Sequence, residues 1–342
     1  MNILQSKLYQ RDIRESLSSV LKIEELKNSR ILITGATGLV CSAIVDLLVS
    51  TDLNVTIYTA GRSEKKAYER FKGETIFIPY DATKPIKFDV EVDYIIHGAS
   101  NASPNLYVNE PVETIQANIN GIQNLLEYAR KKSVKKVIYV SSSEVYGRKD
   151  NIEPFIEDQY GFIDLLNPRS SYSIAKRAAE TLCVSYQSEY GVPFNVVRLG
   201  HIYGPSASRR DKRVSSDFAY KAAKGENLIL KSDGKQIRSY CYSLDCASAI
   251  LSVLTSGIDG EAYNISNKDS IINIRDMAEY LAEAGGVELL FDFPSKTESA
   301  AFNPMDNSSL DSTKLESLGW KGIFSAKEGL EHTVQILKEC IE

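Results

Sequence analysis

A tyrosine and a lysine four residues apart are the pair in this sequence best suited to proton transfer. Tyr172 and Lys176 stand in the run Ser-Tyr-Ser-Ile-Ala-Lys, and this separation places both side chains on one face of a helix. The ammonium is expected to lower the pKa of the phenol from about 10 toward neutrality, which would make it an acid or a base. The pair alone is a weak signal, so its meaning depends on the segments that precede it.

Four polar residues follow an apolar run upstream of this pair: Ser141, Ser142, Ser143 and Glu144. Open α/β sheets bind ligands at the carboxyl ends of their strands, so these side chains are expected to face the reacting groups. Ser142 is predicted to hydrogen-bond a substrate hydroxyl or ketone and relay its proton to Tyr172. Glu144 is predicted to act as an acid or base or to orient water. The alternative is a turn of serines with a solvated glutamate.

A glycine-containing turn follows the first apolar run, in Ile-Leu-Ile-Thr-Gly-Ala-Thr-Gly-Leu-Val at 31–40. Glycines let the backbone approach a pyrophosphate, and the following helix N-terminus offers free N–H groups. The third glycine of the usual pattern would fall at Cys41, whose small thiol still permits close packing. An ordinary tight turn is the alternative. The residues predicted to hold the pyrophosphate are Gly35, Thr37, Gly38, Leu39 and Val40.

The end of the second predicted strand normally distinguishes NAD from NADP. An acid there binds the ribose hydroxyl of NAD, whereas an arginine accommodates the phosphate of NADP. The sequence has no acid at this point and has Arg62, so NAD or NADP is expected, with NADP slightly favoured unless Arg62 is merely solvated. Asp81 is predicted to accept a hydrogen bond from adenine, and a turn-capping aspartate is its alternative.

Small residues follow the fourth predicted strand, where bulk would block a cofactor. Asn118, on the long helix beyond it, could supply an inward amide or lie idle on the helix surface. The further residues predicted to contact the cofactor are Ala82, Ala99, Ser100, Asn118 and Ser141, together with Tyr172 and Lys176.

Alternating strand and helix patterns must position these residues. The predicted strands are 30–34, 54–59, 75–78, 94–97, 136–141 and 194–199, and the helices are 42–50, 64–71, 111–132 and 171–190. This alternation indicates an α/β doubly wound parallel sheet, a Rossmann fold, with a smaller C-terminal α/β substrate lobe. The predicted parts are a helical extension at 1–29, an NAD(P)-binding domain at 30–205, and a mainly substrate-binding lobe at 206–342 that can return elements to the main sheet.

Bulk properties restrict the possible partners of the 342-residue chain. It is 43% hydrophobic and 25% charged, with a net charge of −5, which argues against nucleic-acid binding. Five cysteines without metal-type spacing and three scattered histidines predict no metal centre and a reducing compartment. The sequence has no signal-peptide pattern and no apolar run of about 20 residues, so a cytoplasmic protein without a membrane span is expected.

Taken together, these motifs resemble the extended short-chain dehydrogenase/reductase family, whose members modify nucleotide sugars, over about residues 30–330. Within it the sequence is most similar to UDP-glucuronate decarboxylases, also called UDP-xylose synthases. The matching runs are His-x-Ala-Ser-x-Ala-Ser-Pro at 97–104, Ser-Glu-Val-Tyr-Gly at 143–147, Pro-Arg-x-x-Tyr at 168–172 with Lys-Arg at 176–177, and Gly-x-x-x-Arg at 234–238.

The resemblance implies a mechanism through a 4-keto sugar. Tyr172 would remove the C4 hydroxyl proton as hydride passes to the nicotinamide, which makes loss of the C6 carboxylate feasible before hydride returns. Lys176 would lower the tyrosine pKa and bind ribose, and Ser142 would relay the proton. Ser143 and Glu144 would manage the carboxyl end of the sugar.

The resemblance also implies a set of substrate-binding residues: Ser103, Arg169, His201, Arg213 and Arg238. Arg238 would grip a phosphate or carboxylate, and Arg213 is either a second diphosphate ligand or part of an interdomain ion pair. His201 stands where relatives commonly have the asparagine that contacts the diphosphate. It would bind phosphate as a cation or be a buried neutral residue.

The net reaction stays open in the sequence. An NADPH-dependent ketoreductase, a 4-epimerase and a 4,6-dehydratase share the same tyrosine, lysine and serine, although dehydratases carry Asp-Glu where this sequence has Ser143-Glu144. A non-catalytic cofactor-binding protein is the alternative of another class. The resemblance further predicts a homodimer through helices 111–132 and 171–190, with a role in polysaccharide precursor synthesis as a plausible setting.

Overall fold

The computed structural model describes residues 3–100, 104–149, 151–293 and 305–341, with only the backbone of 104–106. Its twelve β-strands in these residues are numbered in chain order: β1 Arg30–Thr34, β2 Thr56–Gly61, β3 Ile76–Pro79, β4 Tyr94–His97, β5 Lys136–Ser142, β6 Phe194–Leu199, β7 His201–Tyr203, β8 Leu228–Leu230, β9 Ile237–Tyr242, β10 Ala262–Ile265, β11 Ile271–Asn273 and β12 Leu289–Phe291.

Seven strands form the main sheet in the order β3-β2-β1-β4-β5-β6-β10, and every neighbouring pair is parallel. Strands β1, β4 and β6 have the predicted bounds, whereas β2 and β3 start one or two residues later than predicted. The apolar runs become central strands because helices cover both faces of a parallel sheet. The predicted doubly wound fold is therefore confirmed.

Eleven α-helices lie in the described part of the chain: α1 Lys7–Ser18, α2 Leu39–Val49, α3 Glu64–Phe71, α4 Pro104–Asn109, α5 Pro111–Lys132, α6 Ser171–Tyr190, α7 Val214–Ala223, α8 Ser243–Ser256, α9 Ile274–Gly285, α10 Thr313–Ser317 and α11 Ala326–Ile341. Helices α3, α5 and α6 have the predicted bounds. Helix α2 begins three residues before its predicted start, immediately after the glycine turn. Across these helices, none has the length and apolar character needed to cross a membrane.

The residues after 205 contribute to more than one layer. They form the small sheet β8-β12, and they add β9 and β11 to β7, which precedes residue 205, in the second small sheet β7-β9-β11. Strand β10 instead pairs with β6 at the edge of the main sheet, and α8 packs against α2. The return of elements to the main sheet is thus observed, and the division of the chain at 205 into two domains stays a prediction.

The N-terminal helix α1 packs against α2, α8 and α11 through buried polar contacts. The Tyr9 hydroxyl donates to the Asp46 carboxylate on α2 at 2.7 Å. Asp12 accepts from the Tyr242 hydroxyl at 3.1 Å and contacts the His332 Nδ1 atom at 3.1 Å. Because these partners lie on three different elements, α1 is part of the core rather than a loose appendage.

Candidate active site

The turn after β1 requires glycine for two physical reasons. Gly35 has a φ of +68°, a left-handed conformation that side chains other than glycine rarely adopt. A Cβ atom at this position would also lie 2.8 Å from the backbone nitrogen of Ala99. The turn therefore meets the segment after β4 closely, and the predicted cofactor residues Gly35 and Ala99 lie together.

Gly98, which directly follows β4, compensates for the glycine that is absent at position 41. Cys41 is buried in α2, and a Cβ atom on Gly98 would collide with its sulfur. The close packing that a glycine at 41 would permit is thus achieved by the glycine at 98. Burial raises the pKa of the Cys41 thiol to about 12, so this sulfur is a packing group rather than a nucleophile.

An alanine at Gly98 is expected to destabilise the protein by about 1–3 kcal/mol because it overpacks this contact. The same substitution combined with Cys41→Gly should recover most of the loss, since the sulfur is then gone. Urea unfolding of the two single variants and the double variant measures the coupling. Equal destabilisation of Gly98→Ala with and without Cys41 would contradict the packing argument.

Helix α2 presents its N-terminus at the same edge of the sheet. Gly38 is its N-cap and supplies no side-chain hydrogen bond. The first N–H groups of a helix have no partner within the helix, so those of Leu39 and Val40 can bind an anion. Thr37 is exposed just before them. This arrangement fits the pyrophosphate of a dinucleotide.

A cleft of about 380 Å³ lies at the ends of β2 and β3, and its lining includes Gly61, Arg62 and Asp81. Arg62 is exposed there. Asp81 accepts hydrogen bonds from the backbone N–H of Thr83 at 3.0 Å and from its hydroxyl at 2.8 Å. The turn-capping alternative is therefore observed for Asp81, whose second oxygen lies 3.7 Å from the Lys84 ammonium.

The loop after β4 is held by an amide on α5. The Ser100 hydroxyl donates to the Asn118 Oδ1 atom at 2.9 Å, and the Asn118 Nδ2 group donates to the Thr114 carbonyl at 2.8 Å. Asn118 is buried, so the helix-surface alternative is wrong. Ala82 lies beside the same helix, since a Cβ on Gly121 would come within 3.1 Å of its Cβ. Both residues shape the wall of the predicted cofactor site.

Lys176 is buried on α6 behind the end of β5. Its ammonium donates to the Val140 carbonyl at 2.7 Å and lies 5.7 Å from the centroid of the Tyr172 ring. Burial lowers the pKa of Lys176 to about 7, while the charge of Glu180 opposes this shift. The predicted pair is therefore brought together, with the lysine close to its titration point at neutral pH.

The expected effect of Lys176 on the tyrosine is wrong for this structure. Burial raises the pKa of Tyr172 to about 12, and the charge of Glu144 adds to the rise, although hydrogen bonding with Ser142 and the charge of Arg213 lower it. The free energy lost when the phenolate is removed from water exceeds the stabilisation that Ser142 and Arg213 provide. The phenol is consequently protonated at neutral pH.

Two residues of this site escaped the sequence analysis. The Tyr107 ring stacks on the Tyr172 ring, with centroids 4.3 Å apart, and the Ser171 hydroxyl donates to the Tyr107 carbonyl at 3.3 Å. Arg177 donates to the carbonyls of Val145 at 2.5 Å and Tyr146 at 3.1 Å. In the sequence Arg177 is noted only as part of the Lys-Arg pair at 176–177, and no motif or spacing indicates Tyr107.

The turn after β5 orients its polar side chains. The Ser142 hydroxyl accepts from the Glu144 backbone N–H at 3.3 Å, and Ser143 opens the 3₁₀ turn that follows. The Ser173 hydroxyl donates to the Glu144 carboxylate at 3.1 Å. The Arg169 guanidinium lies 3.7 Å from the other oxygen of that carboxylate. Glu144 is therefore held near Tyr172 rather than freely solvated.

Ser141 faces the other way. Its hydroxyl donates to the Glu180 carboxylate at 2.5 Å, within a buried network that includes Arg198. Successive side chains of a strand point to opposite faces, so Ser141 and Ser142 cannot both face the same ligand. The side chain of Ser141 thus contacts Glu180 on α6 and does not make the predicted contact with the cofactor.

Arg238 is a buried cation without an acid partner among the residues that the structure describes. It is 3% exposed, and its one hydrogen bond there goes to the Ile237 carbonyl at 2.7 Å. Tyr240 is two residues further along β9 and is in register with His201 on β7. These three side chains therefore share one face of the small sheet.

Arg213 forms an ion pair with Asp211 at 2.5 Å, within its own loop. The interdomain ion pair considered for it is therefore not the contact that is observed. Its charge still lowers the pKa of both Tyr172 and His201, which places it beside the site. Ser103 lies outside the described residues.

His201 fits the neutral alternative. Burial and the neighbouring cations Arg238 and Arg213 lower the pKa of His201 to about 3, so it cannot bind phosphate as a cation near neutral pH. Its Nδ1 atom is buried and has no hydrogen-bond partner among the described residues. The ring is therefore an uncharged hydrogen-bonding group next to Arg238.

The free energy of unfolding is expected to fall as the pH is lowered from 7 to 5. Burial lowers the pKa of His97 to about 3 as well, whereas an unfolded histidine takes up its proton near 6.5. Stability is therefore complete above pH 6.5 and is lost progressively down to about 3, by up to about 1.4 kcal/mol per pH unit for each histidine. Urea unfolding of the wild type and His201→Asn tests this, and identical slopes would refute it.

The comparisons with known proteins agree with this geometry. A model of the NAD dependent epimerase/dehydratase family matches residues 31–266. UDP-glucuronic acid decarboxylase 1 of Xenopus tropicalis is 30% identical over 340 residues, which cover 97% of this chain and 78% of that protein.

Two solved UDP-glucose 4-epimerases have similar structures. The one from Thermotoga maritima, with UDP-glucose, is 27% identical with a TM-score of 0.79 and covers 92% of this chain and 100% of its own. The one from Thermus thermophilus, in complex with NAD, is 25% identical with a TM-score of 0.75 and covers 90% and 99%. The predicted enzyme class and nicotinamide cofactor are confirmed, and the preference for NADP stays a prediction. The chain belongs to the NAD dependent epimerase/dehydratase family.

Proposed function

We propose that this protein modifies a nucleotide sugar through a 4-keto intermediate, and that its reaction is the decarboxylation of UDP-glucuronate. The observation that carries the proposal is the buried Arg238, which has no carboxylate partner in the described residues. Burial lowers the pKa of this guanidinium, and Tyr240, Glu144 and Asp306 oppose that shift, although neither acid lies within ion-pair distance of it. A buried guanidinium without a counter-ion is costly unless a ligand supplies one. A substrate with a diphosphate and a carboxylate meets this need.

The residues at the sheet edge fit a nicotinamide dinucleotide. The turn at Gly35, the N-terminus of α2 and the cleft beside Arg62 would hold its pyrophosphate and adenosine. When bound, NAD supplies a hydride acceptor that oxidises the sugar at C4 and later returns the hydride. Lys176 is buried beside Tyr172, and it is the group that we assign to the ribose.

The chain's own groups can move the protons of this reaction. Tyr172 is protonated in the protein without ligand, so it would first pass its own proton to the hydrogen-bonded Ser142 as the relay. Once ionised, it would take the C4 hydroxyl proton and later give it back to the carbonyl oxygen. Oxidation at C4 makes the C6 carboxylate a leaving group as carbon dioxide, and a proton must then replace it at C5. Glu144, which is held by Ser173 and Arg169, is the group that we assign to the carboxyl end.

A ketoreductase that uses NADPH is the second candidate. It is favoured by Arg62, which lies exposed in the cleft, because the end of β2 carries this arginine instead of an acid that would bind the ribose of NAD. A protonated Tyr172 also suits donation to a ketone. A 4-epimerase or a 4,6-dehydratase would use the same central residues, and intact Ser142, Tyr172 and Lys176 argue against a non-catalytic protein.

Product analysis tests the proposal. Purified protein is incubated with UDP-glucuronate, alone and with NAD⁺ or NADPH, while reduced nicotinamide is followed by absorbance and the product by mass spectrometry. We expect a product lighter by carbon dioxide without net change in reduced cofactor, and loss of that product in Glu144→Gln. Tight NADPH binding with no reaction would instead support the ketoreductase.

The homodimer is also a proposal. Helices α5 and α6 pack on each other and expose apolar side chains at Val112, Ile115, Val184 and Tyr190, which a second copy would cover. Light scattering should give twice the chain mass at micromolar concentration, and a clean monomer would overturn the proposal. The cytoplasmic location and the role in polysaccharide precursor synthesis stay predictions.

A further inference from the structure

A buried aromatic ring lies beneath the ammonium of Lys176. The ring centroid of Tyr139 is 4.6 Å from the Nζ atom, closer than the 5.7 Å of the Tyr172 ring. Tyr139 is the fourth residue of β5 and is 1% exposed. The strand therefore holds this ring rigidly under the lysine.

Few other interactions stabilise the charged Lys176 ammonium. Its one hydrogen bond within the described residues goes to the Val140 carbonyl, and no carboxylate there lies within ion-pair distance. The charge of Glu180, one turn further along α6, favours the protonated form from a distance, but that carboxylate is bound to Arg198. The other titratable groups around Lys176 are Cys183 on its own helix, Cys41 on α2, His97 on β4, and the two tyrosines.

The Tyr139 hydroxyl makes no hydrogen bond with any described residue. It is buried, and burial raises the pKa of this phenol well above its usual value. The phenol is therefore neutral throughout the working range. What Tyr139 offers its surroundings is the electron-rich face of a ring, which attracts a cation.

We propose that Tyr139 is a positioning residue whose ring face, not its hydroxyl, holds the protonated Lys176 at the end of β5. A desolvated cation–π contact is strong enough to decide the charge of a buried lysine. The proposal rests on the proposed function for the role of Lys176, but the contact itself exists in the protein without ligand.

If the ring face stabilises the charged lysine, the titration midpoint of Lys176 should depend on the side chain at position 139. Replacing Tyr139 with leucine removes the ring face, so the titration midpoint of Lys176 should fall by about one pH unit. Replacing it with phenylalanine keeps the ring and removes the unpartnered hydroxyl, so the midpoint should stay where it is. Phenylalanine analogues with increasing fluorination at 139 should lower the midpoint in steps, at nearly constant volume.

NMR of the ligand-free protein with ¹³C-labelled lysine measures this midpoint, and the Lys176→Arg variant identifies the signal. An unchanged midpoint across leucine and the fluorinated series would overturn the proposal, as would a phenylalanine variant that shifts like leucine. The fluorinated series keeps the test valid if the leucine variant does not fold. Because the titration requires no substrate or turnover, its failure is distinguishable from failure of the proposed decarboxylation.

Discussion

A phenylalanine in place of Tyr172 is expected to lower kcat about 10³-fold, the usual magnitude for loss of a general acid or base. The phenol is the group that hydrogen-bonds with Ser142 in this site, and the Tyr107 hydroxyl hydrogen-bonds with it in turn. The phenylalanine ring can still stack on Tyr107, so the site should keep its shape. Steady-state kinetics with UDP-glucuronate, the substrate that we propose, measures the loss.

Binding separates a chemical effect from a structural one. The affinity of the Tyr172→Phe variant for the oxidised cofactor, measured by calorimetry, should stay within about threefold of wild type, because loss of one net hydrogen bond has a small effect. Tyr107→Phe is the matched comparison, since it removes the hydroxyl that hydrogen-bonds with Tyr172 but leaves the stack and the Tyr172 phenol, and it should lower kcat far less than Tyr172→Phe. A Tyr172→Phe enzyme that keeps a tenth or more of wild-type kcat would exclude the tyrosine as the proton donor.

The largest stability effect is expected from Arg198→Met, at about 3–5 kcal/mol, because it leaves a buried carboxylate without its cation. Arg198 is 2% exposed and pairs with Glu180 at 2.7 Å. It also donates to the hydroxyls of Tyr146 at 3.0 Å and Tyr160 at 2.7 Å and to the Glu157 carbonyl at 2.7 Å. One guanidinium therefore joins β6, α6 and the loop that precedes α6.

Arg130→Met is the control for this substitution. Arg130 also pairs with a glutamate, Glu127, at 2.7 Å, but the pair is solvent-exposed and should contribute no more than about 1 kcal/mol. Urea unfolding of both variants at neutral pH gives the comparison. Similar losses for the two variants would mean that burial does not set the strength of the Arg198 pair.

The sequence predicts the central sheet well because its signals are local. The apolar runs of β1 and β4 can be recognised without knowing their neighbours, and glycine at 35 marks the turn. The predicted start of α2 is three residues late, since Gly38, its N-cap, supplies no side-chain hydrogen bond that would mark the start of the helix in the sequence. Helix α4 was missed because six residues give too short a pattern.

The sequence predicts which residues form the site better than it predicts their pKa values and orientations. Spacing places Lys176 beside Tyr172, but the pKa of each depends on burial, which no spacing shows. Strand alternation would have separated Ser141 from Ser142, because only one of two successive side chains can face the ligand. The neutral state of His201 depends first on its burial and then on the charges of Arg238 and Arg213, and only the fold creates this environment.

The docking of α1 has a consequence for the smallest version of this protein that can fold. The family match ends at residue 266 and begins at residue 31, yet Asp46 receives its hydrogen bond from Tyr9, and Asp245 accepts from the backbone of Phe324 at 3.0 Å. A chain trimmed to the matched span would lose both of these hydrogen bonds and the segments that contact the two carboxylates. The minimal folding unit therefore extends on both sides of the span by which the family is recognised.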